Sequence, residues 1–545
     1  MKRIHSLLLS VLTGLLLSIG WPAHGFSFIL LFALVPLLFV EDSLFKNKEK
    51  NNRFSMLLYS YLSFLVWNLI TTWWIYYATL FGAVAAIATN TLIMALAFFF
   101  FHVTRRNLYK GNAHGNYGYL ALIAYWIAYE YFHLNWDLSW SWLNLGNGFS
   151  NYYKFIQWYE YTGTLGGSVW ILLSNIFIFL LIRSSLQKIR DKKIIMTNAI
   201  ATFCIVFIPL IFSFYTYISY KETNNPVEVV AVQPNIDPYN EKFGGMTTDQ
   251  QIEKILNLAR KKMTTHTQFI LAPETALPEG VWIDELSRVP SIKKIKLMLS
   301  EFPQASMLIG ASTYKLYDDK QMKSATARLY PGSKAAYDSY NSGLFIDTSQ
   351  TIGVYNKSKL VPGVEKMPYP KLFGFLEKFA IDLGGMSGTL GTQTKRTAFR
   401  SMNNIKIAPV ICYESIYGEF ITSYVQNGAQ LIFIITNDGW WNDTPGYRQH
   451  CSYASLRAIE TRRSIARSAN TGISCFVNQR GDQFQNTKWW QPDVIVQTIN
   501  ANDKLTFYVK YGDYIGRILR LISILLGMYT IITIIKNRKK VGISK

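Results

Sequence analysis

The sequence predicts an α+β membrane protein, a polytopic bundle of transmembrane helices that carries a globular domain outside the membrane. Three observations lead there. Of 545 residues, 50% are hydrophobic and only 16% charged, against roughly 25% charged in a soluble domain. The apolar residues gather into runs of the roughly 17–25 residues that a helix needs to cross a bilayer. These runs fill residues 1–220 and return near the C-terminus. Between them, over 221–510, short β-branched runs alternate with polar helical stretches, as in an ordinary globular domain. The expected division is a bundle over 1–220, a globular domain over 221–510, and a last helix with a basic tail over 511–545.

The spans run over about Ile4–Gly20, Gly25–Val40, Ser55–Ala78, Leu80–Val103, Tyr117–Leu134, Gly163–Ile182 and Ile194–Tyr220, with a last one over Tyr514–Ile535. That is about eight by length, seven of them before the globular domain. The first run, after Met-Lys-Arg, also fits a cleaved signal peptide. Loop charges orient the bundle. Lys2 and Arg3 precede the first span; Lys46, Lys48, Lys50 and Arg53 follow the second; Arg105, Arg106 and Lys110 follow the fourth. Arg183, Lys188, Arg190, Lys192 and Lys193 follow the sixth, and Lys536, Arg538, Lys539 and Lys540 the last. The loops between carry almost no Lys or Arg, Lys154 being the exception. By the positive-inside rule both termini are cytoplasmic and the globular domain lies outside. The net charge of +21 is then a topology signal and not the footprint of a nucleic acid. Outside as well is Asn135–Tyr161, dense in Trp and Tyr, which fits an interfacial aromatic belt or a wall beside a lipid access route.

In the globular domain, Val227–Val232, Phe269–Ala272, Met307–Gly310, Gly343–Ile346, Ile405–Ile411 and Leu431–Ile435 read as buried strands, and Asp249–Lys262 and Tyr453–Ala469 as helices. In such α/β arrangements sites gather where strands end. Cys412 ends one strand, in Ile405-Lys-Ile-Ala-Pro-Val-Ile411, and precedes Tyr413 and Glu414. Glu274 follows another, in Leu271-Ala-Pro-Glu-Thr-Ala. Lys357 lies in Tyr355-Asn-Lys-Ser-Lys-Leu-Val-Pro, with Glu365 eight residues on. Taken singly, a buried core thiol and surface ion pairs account for these residues. Together a thiol, a carboxylate and a lysine form an acyl-transfer set: nucleophile, general base, and cation for the developing oxyanion. The sequence has no phosphate-binding GxxxxGK[ST], no HExxH or CxxC metal spacing and no GxSxG. The adjacent His450 and Cys451 make a weak metal motif, and neither a metal nor a cofactor is expected.

The order Ala272-Pro-Glu274, Tyr355-x-Lys357 with Leu360-Val-Pro362 and Glu365, then Ile411-Cys412-Tyr413-Glu414 resembles the Glu-Lys-Cys triad of the nitrilase superfamily. With the flanking spans it resembles the membrane-bound branch, the apolipoprotein N-acyltransferases. Further matches are Val232-Gln-Pro-Asn-Ile236, Thr436-Asn-Asp-Gly-Trp440 and the segment from Arg457 through Glu460, Arg463 and Arg467 to Gly472. In the bundle, Gln157, Gly163, Gly166, Ser168 and Asn175 fall in a similar pattern. Where the family usually reads Val-Pro-Phe-Gly-Glu, this chain has Val361-Pro-Gly-Val-Glu365, which keeps the glutamate's spacing and alters the loop. The resemblance implies a nitrilase-like αββα sandwich on the periplasmic side of a bacterial inner membrane. It implies Glu274, Lys357 and Cys412 as catalytic, with Glu365, Tyr413 and Glu414 in support, and Phe243 and Trp440 as substrate contacts. It implies a phospholipid acyl donor, phosphatidylethanolamine by expectation, and a diacylated prolipoprotein as acceptor, joined through a thioester on Cys412.

Two other readings stand beside this one. A membrane-tethered amidase with the same triad would hydrolyse a small amide in a closed polar pocket. A catalytically silent lipid-binding scaffold would form no acyl-enzyme. Anchoring needs one span, so about eight point to a bundle that handles lipid. A nucleic-acid role for the Arg457–Arg467 segment is disfavoured, because Glu460 interleaves the cations and the domain is outside. Whether Cys451 and Cys475 pair is left open by the sequence.

Overall fold

Each apolar run of the first 220 residues holds a helix: α1 Arg3–Ile19, α2 Val35–Lys46, α3 Ser55–Thr72, α4 Leu80–Leu108, α5 Leu120–His133, α6 Tyr159–Ser185 and α7 Lys192–Ser219. The C-terminal helix is Tyr514–Ile543. The structure, a computed structural model, describes all residues except 24, 48–51, 109–116, 188–190, 243, 319–322, 331, 333–334, 370–388 and 544–545, and describes only the backbone of 117, 278 and 538–543. Phe243 and the loop cations Lys48, Lys50, Lys110, Lys188 and Arg190 therefore lie outside the described residues, as do the side chains of Arg538, Lys539 and Lys540. Among the described residues, Ser27–Lys46, Ser55–Tyr77, Leu80–Leu108, Tyr159–Ser185, Lys192–Ser219 and Tyr514–Asn537 are long and apolar enough to cross a membrane. Helices α1 and α5 are apolar but shorter, at 17 and 14 residues. The chain divides into two compact units, Met1–Ser219 with Tyr511–Lys545, and Tyr220–Lys510.

Inside the first unit a buried ion cluster ties helices together. Asp42 of α2 accepts hydrogen bonds from Arg105 of α4 (3.0 Å) and Arg183 of α6 (3.1 Å), and pairs with Lys46 (2.7 Å). Neighbouring Glu41 takes Arg105 and His102. Such groups survive burial only when paired and hydrogen-bonded. In the aromatic stretch 135–161, Trp142 is buried and lies against Trp74 and Trp140. That ring is bundle core, so a belt at the membrane interface does not describe it.

The second unit is built on two sheets. The first has eight strands, in the order β14-β1-β2-β4-β6-β5 with β3 beside β4 and β7 beside β6. Its strands are β1 Pro226–Gln233, β2 Thr267–Leu271, β3 Leu277–Trp282, β4 Ser306–Leu316, β5 Arg328–Leu329, β6 Ala336–Ile346, β7 Gly353–Asn356 and β14 Asp493–Asn500. The second runs β13-β12-β11-β10-β9-β8, from β8 Phe399–Arg400, β9 Lys406–Ile411, β10 Leu431–Thr436, β11 Ser464–Ala469, β12 Cys475–Val477 and β13 Gln483–Phe484.

Alternation along the strands makes the layers. Val227, Val229 and Ala231 of β1 join the core shared with the second sheet, where Phe269 of β2 meets Phe433 of β10 edge-on at 5.0 Å. Val230 and Val232 face the other way, onto Ile252 and Ile255 of α8 (Thr248–Arg260) and Ile292 and Ile295 of α9 (Pro290–Glu301). Helices α10 (Gly418–Gln426) and α11 (Pro445–Thr461) pack on the second sheet. The result is four layers, helix–sheet–sheet–helix.

One reading of the sequence is corrected here. Tyr453–Ala469 is not a single helix. Helix α11 ends at Thr461, Arg462 turns left-handed (φ 50), and Ser464–Ala469 forms β11, parallel to β10. The β-sheet partner, which periodicity cannot see, decides the matter. The same segment's Arg457, Arg463 and Arg467 are buried, spending their donors on carbonyls and on Glu460 and Asp438.

Candidate active site

Three strand ends carry the site. Glu274 lies three residues beyond β2, where the Ala272 amide donates to the Leu308 carbonyl of β4 and the Gly310 amide to the Pro273 carbonyl. The approach is too close for a side chain: a Cβ on Gly310 would meet Thr275 N at 2.4 Å and Glu274 Cα at 2.6 Å. Lys357 follows the last residue of β7, and its amide donates to the Asn341 carbonyl of β6 at 2.8 Å. Cys412 follows the last residue of β9 in left-handed backbone (φ 49), a conformation few side chains adopt. The three side chains are nearly desolvated, with 6%, 2% and 8% of each residue exposed.

The Lys357 ammonium donates to Glu274 Oε1 (2.9 Å) and to Glu365 Oε1 (2.8 Å). One amide, Asn341 Nδ2, also donates to both carboxylates, at 2.7 and 3.1 Å. Glu274 Oε2 accepts from the Asn437 backbone at 3.1 Å, and Glu365 Oε2 from the Val361 backbone at 2.8 Å. The altered loop therefore still delivers Glu365. It turns at Gly363 (φ +79), and the Glu365 amide closes back on the Val361 carbonyl at 2.9 Å.

These contacts set the charges. Burial pushes the Glu274 carboxyl up, but the Lys357 charge and the hydrogen bonds from Lys357 and Asn341 outweigh it and hold the group below its usual range. Burial works against the Lys357 ammonium, yet Glu274 and Glu365 hold it charged, well above the ordinary lysine value. Burial and the negative charge of Glu274 raise the Cys412 thiol, against the pull of Lys357. The resting state is a thiol beside an ionised base and an ammonium, the arrangement that general-base activation of a nucleophile requires.

Glu414 is buried and does a different job. Its Oε1 accepts from the Tyr355 hydroxyl (2.6 Å) and the Ser358 backbone (2.7 Å), and its Oε2 from the Ile411 backbone (2.9 Å). It staples the strand end that bears Lys357 to the one that bears Cys412. Tyr413 is buried edge-on against Tyr417 at 5.4 Å. Trp440 packs edge-on to Tyr239 at 5.2 Å, and Phe243 is outside the described residues.

Sequence reasoning missed what several further residues do at the site. Asn341 sits inside β6 and carries no motif of its own, while Asn437 lies in the Thr436-Asn-Asp-Gly-Trp440 match without a role read for it there. Lys242 is buried, donates to Thr275 Oγ1 and lines, with Ile236, Ala276 and Asn470, a small cavity beside Glu274. Burial brings its ammonium down to about 8 against the opposing charge of Glu274. Under Cys412 runs a relay: Arg467 donates to Asp438 (2.7 Å), Asp438 meets His450 Nδ1 (3.0 Å), His450 Nε2 meets Ser415 Oγ (2.9 Å), and Ser415 donates to the Cys412 carbonyl (2.7 Å). Cys412, Asp438 and His450 bring possible ligand atoms within 4.8 Å of one another. The carboxylate and the imidazole are already committed to protein partners, so the cluster does not fit a metal site.

The family model described as Carbon-nitrogen hydrolase matches residues 229–504, more than half of the chain. The chain belongs to the carbon-nitrogen hydrolase family. Ahead of that domain, residues 13–177 match the Apolipoprotein N-acyltransferase N-terminal domain. Among curated relatives of this carbon-nitrogen hydrolase, the apolipoprotein N-acyltransferase of Chlorobaculum tepidum is 29% identical over 523 residues, covering 94% of this chain and 93% of its own. That of Thermotoga maritima is 24% identical, covering 96% and 94%. Among solved structures, a nitrilase-superfamily amidase from Nesterenkonia AN1 covers 55% of this chain and 99% of its own at 11% identity and a TM-score of 0.36.

Proposed function

We propose that this carbon-nitrogen hydrolase is an apolipoprotein N-acyltransferase of a bacterial inner membrane. It moves a fatty acyl chain from the sn-1 position of a phospholipid to the N-terminal amine of a diacylglyceryl-cysteine lipoprotein. One observation carries the reading: the two matched domains stand in tandem on one chain, at full length against relatives of that name. The donor we propose is phosphatidylethanolamine. The alternating basic loops support about eight spans, cytoplasmic termini and a periplasmic catalytic domain.

In the first half-reaction Glu274 takes the Cys412 proton and the thiolate attacks the ester carbonyl carbon. The tetrahedral oxyanion is met by the Lys357 ammonium and a backbone N–H near Cys412. As the carbon–oxygen bond breaks, Glu274 returns its proton to the lysophospholipid alkoxide, leaving a thioester. In the second half-reaction the neutral α-amine attacks the thioester, Glu274 receives an amine proton and the Cys412 thiolate leaves to be reprotonated. Glu365 and Asn341 hold Lys357 and Glu274 in register, Glu414 and Tyr413 shape the turn at Cys412, and Phe243 and Trp440 contact substrate. Near-complete burial of the triad favours the amine over water, which would destroy the thioester.

The test is intact-protein mass spectrometry after incubation with phosphatidylethanolamine. A fatty-acyl adduct that hydroxylamine removes, that Cys412→Ala lacks and that a diacylated lipopeptide discharges is the expected result. Release of free fatty acid in place of transfer would favour an amidase-like hydrolase. No adduct with any phospholipid overturns the reading.

A further inference from the structure

The extramembrane unit has three cysteines, Cys412, Cys451 and Cys475; the fourth, Cys204, lies in α7. Cys451 is on α11, and Cys475 is on β12, where it pairs in register with Arg467 of β11. Both are buried in the core of the second sheet, 3% and 0% exposed, and their sulfurs are in contact at 3.7 Å. A disulfide needs sulfurs at about 2.05 Å, a side-chain displacement from what is seen.

We propose that Cys451 and Cys475 are a disulfide site, closed in the oxidising space outside the membrane, so that Cys412 is the only thiol left in the unit. The inference rests on the periplasmic location proposed above. The Cys451 thiolate attacks one sulfur of a disulfide-bearing oxidant, a thiol–disulfide oxidoreductase or a small disulfide, and releases its first thiolate. Cys475 then attacks the mixed disulfide and releases the second. Two electrons and two protons pass to the oxidant, which ends as a dithiol or, for a small disulfide, as two thiols. The sulfurs are buried in the folded unit, so exchange takes place before α11 settles on β12. Three thiols allow three pairings, and the two that include Cys412 would consume the nucleophile. The bridge removes both competitors and pins the helix whose His450, next to Cys451, belongs to the relay under Cys412.

The test uses full-length protein from native membranes, denatured without reductant in iodoacetamide and mapped by peptide mass. The expected result is one cross-linked species holding Cys451 and Cys475 that separates on reduction, with Cys412 alkylated or acylated. Alkylation of both Cys451 and Cys475 in unreduced protein overturns the proposal. Location is read separately, by labelling exposed Lys262→Cys, in a Cys451→Ala/Cys475→Ala background, with a membrane-impermeant maleimide on spheroplasts. Labelling together with a free pair sinks the bridge and leaves the periplasmic reading standing. No labelling overturns the location and with it the premise of the bridge.

Discussion

Two of the charge clusters among the described residues, one in the bundle and one at the candidate active site, are put to opposite uses. In the bundle, the buried Arg105, the largely buried Arg183 and the exposed Lys46 meet two buried carboxylates, Glu41 and Asp42, and the Arg105 guanidinium also lies over the Phe45 and Tyr119 rings at 3.9 and 4.2 Å. At the candidate active site the Lys357 ammonium bridges two carboxylates, the Asn341 amide donates to both, and the buried Lys242 ammonium adds its charge beside Glu274. A cluster rich in cations leaves each carboxylate fully engaged and acts as a clamp. At the site the cations keep a base ionised while burial and that base's charge keep the neighbouring thiol protonated, which is a site poised to move a proton. The same physics of buried pairs thus yields fixity in one region and reactivity in the other.

Substitutions break this comparison at different points. Cys412→Ala has the largest expected effect, loss of the acyl-enzyme and of transfer to background, with the fold retained by circular dichroism. Lys357→Met should cost about 10³-fold in acyl-enzyme formation, in the range of losing an oxyanion donor. It should also destabilise the unit, because two buried carboxylates then face each other. Arg105→Gln should behave the other way. Thermal denaturation in detergent should show a loss of about 3–5 kcal/mol, as for a broken buried pair, with unchanged turnover per folded molecule. Equal losses of turnover in both variants would erase the distinction between clamp and site.

A finer probe is Asn341→Ala, expected to slow thioester formation about 10–100-fold, as for a lost hydrogen bond to a charged group. Its pH profile gives the sign. Glu274 is held ionised below its usual range, so activity is present above that range and is lost as pH falls through the depressed value. Removing a donor to the carboxylate raises that value and moves the acid limb to higher pH, read by stopped-time acylation across pH. The smallest effect belongs to Gly363→Ala. Its φ of +79 strains a Cβ that meets nothing within 4 Å, so about 1 kcal/mol of stability is expected to go with little change in rate.

Much of the architecture was legible because hydrophobic patterning is local. Runs such as Leu80–Val103 are long enough to be read as helices without knowing their neighbours, and Ile405–Ile411 and Leu431–Ile435 are short and β-branched enough to be read as strands. The residues just past those strands, Cys412 above all, stood out because a polar turn follows an apolar run. Short or polar strands such as β5, β7 and β13 leave no such trace, and β11 reads as the end of a helix because its partner β10 lies some thirty residues away.

By itself, then, the sequence determined which segments are apolar helices and which thiol, carboxylate and lysine stand at strand ends. Only the tertiary structure decided what those groups touch. The amide of Asn341 reaches Glu274 across 67 residues and Glu414 reaches Tyr355 across 59, while Cys451 meets Cys475 across 24. Such contacts depend on strand order and register, which are fixed by packing one sheet on another and have no signature in any short window of sequence.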